Sequence, residues 1–193
     1  MPITVAEALI EALPYVQRWA GSTVVVKLGG SAMSEPALGE AVARDLVLLR
    51  AVGIDVILVH GGGLAVSDMG RKLGLEPRFV DGLRVTDSET MRVAQMVQVG
   101  GISRDLLAAI ARCGGQGIGL SGHDGGGWMR ATIREHVSNE TGEKVDLGRV
   151  GDICSVDTAA IEAMLSASVI PVIAPVAVDD ELSALNVNAD SVA

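Results

Sequence analysis

In VVVKLGG (residues 24–30) a lysine follows three valines and stands one leucine ahead of paired glycines. A valine-rich run of this kind reads as a strand buried on both faces, where an ammonium without a partner is costly. At the end of such a strand, beside backbone that carries no side chains, Lys27 suits one task well. It can face charge developing on a phosphoryl group while the N–H groups of Gly29 and Gly30 hold the oxygens. A second cluster, Gly61, Gly62 and Gly63, closes the apolar run IDVILVH (residues 54–60). A segment with helical apolar spacing follows each cluster, so bare N–H groups and the positive end of a helix coincide. The two clusters in equivalent positions read as anion cradles, although either one alone is also explained by a tight turn. No G-x-x-x-x-G-K-[ST] is present and G-x-G-x-x-G follows neither strand, which excludes a P-loop and a dinucleotide fingerprint.

Other side chains divide by chemistry. Arg84 lies in GLRVTD, a glycine-flanked segment, where its planar fork suits a carboxylate; a solvated surface arginine is the plainer alternative. His60 ends a buried strand and reads as a hydrogen-bonded structural imidazole more than as a base. Cys113 and Cys154 lack metal-ligand spacing and read as free, buried thiols of a reducing compartment. No metal site is expected.

The elements that must position these groups follow from periodicity. Strand, glycine turn, helix, then the same again describes residues 23–75, the grammar of parallel βαβ units and of an α/β fold. The first of these helices places Leu38, Val42, Leu46 and Leu49 on one face and ends at Gly53. Farther on, DSETMRVAQMVQVG and ISRDLLAAIARCGG read as two helices broken at Gly100 and Gly101, QGIGL as a short strand, and SGHDGGG as a mobile loop. Residues 128–138 and 145–156 read as a hairpin or two edge strands, residues 157–167 as a helix. SVIPVIAPVAV, interrupted by Pro171 and Pro175, reads as an edge-like or bent strand. At the N-terminus, Val5, Leu9, Leu13, Val16 and Trp19 form a helical stripe opened by a Thr4/Glu7 capping box, with Pro14 expected to kink or divide it. That stripe packs on its own domain or on a second subunit.

Composition narrows the partners. A formal net charge of −9 argues against nucleic acid and anionic membrane surfaces. No signal-like segment and no apolar run of about 18 residues occurs, so a cytoplasmic location is the expectation. With two Trp, one Tyr and one Phe, packing must come from aliphatic residues, which suits a parallel sheet under helices.

VVVKLGGSAM, VILVHGGG, FVDGLRVTD, GIGLSGHDGG, VIPVIAPVAV and NVNAD, in this order, resemble the N-acetyl-L-glutamate kinases, a branch of the amino acid kinase family. The resemblance implies an αβα sandwich with a central, mostly parallel sheet, and transfer of phosphate from Mg2+-bound ATP to the γ-carboxylate of N-acetyl-L-glutamate in arginine biosynthesis. It implies that Lys27 stabilises the transition state and that Gly29 and Gly30 bind the phosphoryl group. By the same resemblance Gly62 and Gly63 contact the acylated amino acid, Arg84 holds its α-carboxylate, Asn186 holds its amide and carboxylate region, and Asp190 orients catalytic lysines. Residues 1–20 resemble the N-terminal helix that joins dimers into hexamers in members inhibited by L-arginine. Residues 21–193 correspond to the acyl-amino-acid-binding N-terminal lobe, with the C-terminal ATP-binding lobe absent. His123, Gly101 and Ser103 depart from the family pattern of lysine, a long polar residue and asparagine. A non-catalytic substrate-binding or assembly fragment, or a relative acting on another acylated amino acid, is the alternative.

Overall fold

The computed structural model of the chain describes residues 4–29 and 36–193. The first half runs α1 (Val5–Trp19), β1 (Thr23–Leu28), α2 (Pro36–Ala51), β2 (Asp55–His60), α3 (Gly63–Lys72), β3 (Phe79–Val80), β4 (Leu83–Arg84), α4 (Ser88–Gln95), a π-helical stretch (Met96–Ile102) and α5 (Ser103–Arg112). The second half runs β5 (Gly117–Leu120), β6 (Met129–Ile133), β7 (His136–Val137), β8 (Lys144–Val145), β9 (Gly151–Val156), α6 (Ala159–Ser166), β10 (Ile170–Ile173), β11 (Val176–Val178), β12 (Ala184–Asn186) and α7 (Ala189–Val192).

The organising element is a parallel sheet in the order β1-β2-β10-β5. Successive β2 side chains point to opposite faces. Val56 and Leu58 pack with Leu46 of α2 and Ile110 of α5, whereas Val59 packs with Ile161 and Leu165 of α6 and Ala189 of α7. Helices on both faces are what a parallel sheet of aliphatic residues requires. The fold is therefore the expected α/β sandwich. A second sheet, in the order β12-β11-β6-β9, continues from it where the chain passes from β10 into β11 through Ala174 and Pro175.

Four expectations are corrected. β1 is an edge strand, not one buried on both faces: Val24 and Val26 pack into the core, but Val25 on the other face is 42% exposed. The glycines at 100 and 101 do not break the helix; the chain runs from α4 to α5 through the π-helical turns, held by packing of Val97 with Met91, Val93 and Val176. SVIPVIAPVAV is bent at Pro175, but β10 is central and fully buried, not edge-like. Proline is tolerated there because Ile170 donates to Gln116 of the β5 side, while the ladder to β2 begins only at Val172, so the missing Pro171 N–H leaves no gap in it. Cys154 is exposed on the edge strand β9, and Cys113 is half-buried, so neither is the buried thiol expected.

SGHDGGG is closed by a 3-10 turn over Asp124–Gly126, in which Asp124 accepts from the backbone and hydroxyl of Ser121. α1 has its capping box, with Glu7 bonded to the Thr4 N–H at 2.8 Å, and its helix runs unbroken through Pro14. None of its residues is buried, and Val5, Leu9, Leu13 and Trp19 stay exposed. Among the described residues no helix is long and apolar enough to cross a membrane.

Candidate functional site

β1 and β2 pair in parallel, with Lys27 beside Val59 and Leu28 beside His60, so both glycine turns leave the sheet at one edge. Ligands of open parallel sheets bind outside the carboxyl ends of strands, and a cleft of about 430 Å³ lies there. Lys27, Gly29, Gly62, Gly63, Arg84, Asn186 and Asp190 all line it. Gly30, the remaining residue expected at the site, lies outside the described residues.

The placement of Lys27 follows from the strand's alternation. Val24, Val26 and Leu28 face α2 and α5, so Lys27 faces the opposite side, toward α7. There its Nζ lies 2.8 Å from Oδ1 of Asp190, with the two side chains 34% and 68% exposed. A pair this open contributes at most about 1 kcal/mol to stability, so its value lies in aiming the ammonium. A Cβ on Gly29 would sit 3.5 Å from Nζ, which shows how closely bare backbone passes the charge. Asn188 caps the first turn of α7 by accepting from the Asp190 N–H at 2.8 Å, fixing the carboxylate's approach.

The second cradle is the start of α3. Gly62 is its N-cap and brings no side-chain cap, so first-turn N–H groups are open to the cleft. Its φ of 164° is ordinary extended backbone. A Cβ there would lie 2.9 Å from Cδ1 of Ile102 and 3.0 Å from Cγ of Gln98, so a larger residue would have to displace those side chains.

Arg84 comes from a hairpin belonging to neither large sheet. Asp81 and Gly82, with φ of 49° and 79°, form the tight turn that Asp-Gly favours. The Asp81 carboxylate accepts from the Asn139 N–H at 2.8 Å and from His136 Nε2 at 2.7 Å; those bonds, the backbone one foremost, hold it below the usual carboxylate range. Arg84 Nη2 donates to Gly63 O and to Ser67 Oγ, both at 2.7 Å, and its guanidinium stacks 4.7 Å from the centre of the Phe79 ring. Burial first, and the charge of Arg71 second, lower its pKa. Among the described residues no carboxylate pairs with it. A fixed, partly desolvated cation held by neutral groups is a built receptor for an anion.

Sequence reasoning missed several residues that line the cleft or support those that do. Thr86, fully buried, donates to Arg84 O at 3.0 Å and accepts from Asn186 Nδ2 at 3.2 Å, joining the two expected binding residues through one hydroxyl. Its place inside GLRVTD was the available signal. Ser67 follows Gly63 by one helical turn, which was legible. Gln98 and Arg134 also line the cleft. Nothing local marks Arg134; it arrives at the end of β6, paired with Asp152 at 3.1 Å. His123, Gly101 and Ser103 do not line the cleft.

His60 lies beneath the site, fully buried, with Nδ1 2.8 Å from Gly61 O and Nε2 2.8 Å from Ser103 Oγ. It is the structural imidazole expected, and Ser103 anchors it. Burial pulls its pKa below 6.5, outweighing the Gly61 bond. The unfolded chain therefore binds the proton first as pH falls, so this stability is full above pH 6.5 and is lost on acidification through the lowered value. Urea midpoints should fall between pH 7.5 and about 5.5, before carboxylates titrate, and His60→Gln should flatten that slope. An unchanged slope in the variant would contradict the assignment.

Comparison with known proteins places this geometry. A protein from Symbiobacterium thermophilum named acetylglutamate kinase is 48% identical over 188 residues, covering 97% of this chain and 64% of the relative. Another of the same name, from Rhizorhabdus wittichii, is 49% identical over 195 residues, covering 99% of this chain and 64% of the relative. The chain thus spans about 64% of the length of these relatives. Among solved structures, N-acetylglutamate synthase from Neisseria gonorrhoeae, complexed with coenzyme A and N-acetyl-glutamate, aligns with a TM-score of 0.78 and 24% identity over 96% of this chain and 41% of that chain. At that identity the likeness is one of fold. Residues 22–193 match the amino acid kinase family, a span that holds both glycine cradles, Lys27, Arg84 and every other described wall of the cleft, and the chain belongs to that family.

Proposed function

We propose that the chain forms the N-acetyl-L-glutamate-binding lobe of a kinase that uses ATP to phosphorylate the substrate's γ-carboxylate, a step of arginine biosynthesis. The observation supporting this most is the convergence of Lys27, Gly29, the open start of α3, Arg84 and Asn186 on one cleft of amino-acid size. The names of the relatives near 48% identity point the same way.

In this reading Arg84 takes the α-carboxylate, and Asn186, positioned by Thr86, takes the amide and carboxylate region. Gly62 and Gly63 let the ligand rest against the α3 N-terminus. The γ-carboxylate then points toward Lys27 and Gly29. One of its oxygens attacks the γ-phosphorus of ATP, the bond to the β-phosphate oxygen breaks, and the acyl phosphate and ADP result. The nucleophile is already ionised, so no proton acceptor is required, which suits a site where His60 is tied up in structural bonds. Lys27, aimed by Asp190, and the Gly29 N–H meet the charge on the transferring group. Asp190 is held by Lys27, so magnesium would be carried by the nucleotide's phosphates and supply charge neutralisation there.

The exposed apolar stripe of α1 supports assembly of the complete protein into a homo-oligomer, a hexamer by its resemblance to the arginine-inhibited members, with L-arginine as feedback inhibitor. The cytoplasm is the proposed location.

Trapping the acyl phosphate as hydroxamate, with this chain, ATP, magnesium and N-acetyl-L-glutamate, tests the reading. Product establishes the kinase. Binding of N-acetyl-L-glutamate without product supports the alternative, a non-catalytic substrate-binding fragment. Absence of binding overturns the proposal.

A further inference from the structure

Gln98 is 4% exposed and lines the cleft, yet its Oε1 has no hydrogen-bond partner among the described residues. Its side chain packs on the Gly62 backbone at the second cradle: a Cβ on Gly62 would come within 3.0 Å of its Cγ and 3.5 Å of its Nε2. A buried carboxamide that the protein leaves unbonded costs about 1–3 kcal/mol, so in a well-packed domain it calls for an explanation.

The backbone at this position is also unusual. Gln98 sits inside the π-helical stretch Met96–Ile102, between two ordinary helices, and its carbonyl accepts from the Ser103 N–H, the wider π spacing. Such turns carry one residue more than an α-helix needs and commonly occur at functional sites, because they redirect a side chain that regular winding would place elsewhere. Gln95, the last residue of α4, is half-buried and does not line the cleft, while Val97 packs with Met91 and Val176. The single polar side chain that the π turns bring to the cleft is Gln98. Polar residue, missing partner and irregular backbone therefore coincide at one point of the wall, next to Gly62.

We propose that Gln98 is a specificity-determining residue whose carboxamide hydrogen-bonds the acylamino group of the substrate, pairing amide with amide. The inference rests on the reading of the cleft as an acyl-amino-acid site. A terminal carboxamide torsion is broad and nearly two-fold, so Gln98 can turn its donor or its acceptor edge to the ligand at little cost. The ligand supplies the partner that the protein withholds. An anion without the acylamino group leaves Gln98 unsatisfied and gains nothing from it.

The test compares N-acetyl-L-glutamate with glutarate, which keeps two carboxylates and lacks the acylamino group, by titration calorimetry on the wild-type chain and on Gln98→Met. Methionine preserves length and an unbranched stem. The expected result is roughly tenfold weaker binding of N-acetyl-L-glutamate with glutarate unchanged, while the unliganded variant melts at a higher temperature because the unbonded amide is gone. A merely structural glutamine would lower melting instead. Gln98→Leu provides the same comparison if the methionine variant does not fold. Unchanged affinity for N-acetyl-L-glutamate, or equal loss for both ligands, overturns the proposal while leaving the acyl-amino-acid reading in place. If the wild-type chain binds neither ligand, that reading falls, and this inference with it.

Discussion

Arg84→Ala is expected to weaken N-acetyl-L-glutamate binding by about 100-fold or more, the usual range when one partner of a desolvated charge pair is truncated. The size of the effect follows from what Arg84 already touches. Nη2 is committed to Gly63 O and Ser67 Oγ, and the ring of Phe79 supports the guanidinium face. Nε and Nη1 make no hydrogen bond among the described residues, so each keeps an N–H to offer a carboxylate. The apo-protein has therefore met the cost of ordering this side chain before the ligand arrives. Arg84→Lys should recover only part of the affinity, because a point charge on a flexible stem cannot make the fork or the stack. Titration calorimetry decides the matter, with thermal melting to show that the variants remain folded. An Arg84→Ala chain that binds N-acetyl-L-glutamate within a few-fold of wild type would remove the α-carboxylate contact from the proposed function.

The parts of this site that were legible in the sequence are those in which local order fixes position. A strand that ends in glycine and feeds a helix leaves little choice about where its last residues lie, so Lys27, Gly29, Gly62 and Gly63 were found from pattern alone. Arg84, Asn186 and Asp190 lie far apart along the chain. Chemistry marked only the first of them, and the family resemblance was needed to bring all three together. What stayed hidden depends on tertiary packing. The openness of β1 is set by its place at the sheet edge, which three valines cannot announce. Gly100 and Gly101 are poor helix residues individually, yet the apolar contacts of Val97 and Ile102 carry the helix through them. The winding there is π-helical, which no local pattern marks, so Gln98 gave no sign of itself as a wall residue. Pro171 misled for a related reason: its missing donor matters only where a ladder bond would have been, and pairing with β2 starts one residue later.

Lys27→Ala should separate binding from chemistry. Lys27 faces the far end of the cleft from Arg84 in the proposed arrangement, so affinity for N-acetyl-L-glutamate should stay within about threefold of wild type, the scale of an exposed charge interaction. Phosphoryl transfer should fall by roughly 100- to 1,000-fold, the loss seen when a preorganised group that stabilises transition-state charge is removed. The two effects differ because the ammonium meets little charge on a bound carboxylate at rest and most of it as the phosphoryl group passes between oxygens. Asp190→Asn supplies the control. Its amide can still bond Nζ without a full negative charge, so it should disturb the aim of Lys27 less than deleting the ammonium, giving an intermediate rate. Lys27→Arg tests position against charge: a guanidinium in this place keeps the charge but not the compact head that fits beside Gly29, and a rate close to alanine's would show that geometry dominates. If Lys27→Ala weakens binding and leaves the rate of the bound complex untouched, the ammonium is a substrate anchor and the transition-state role assigned to it is wrong.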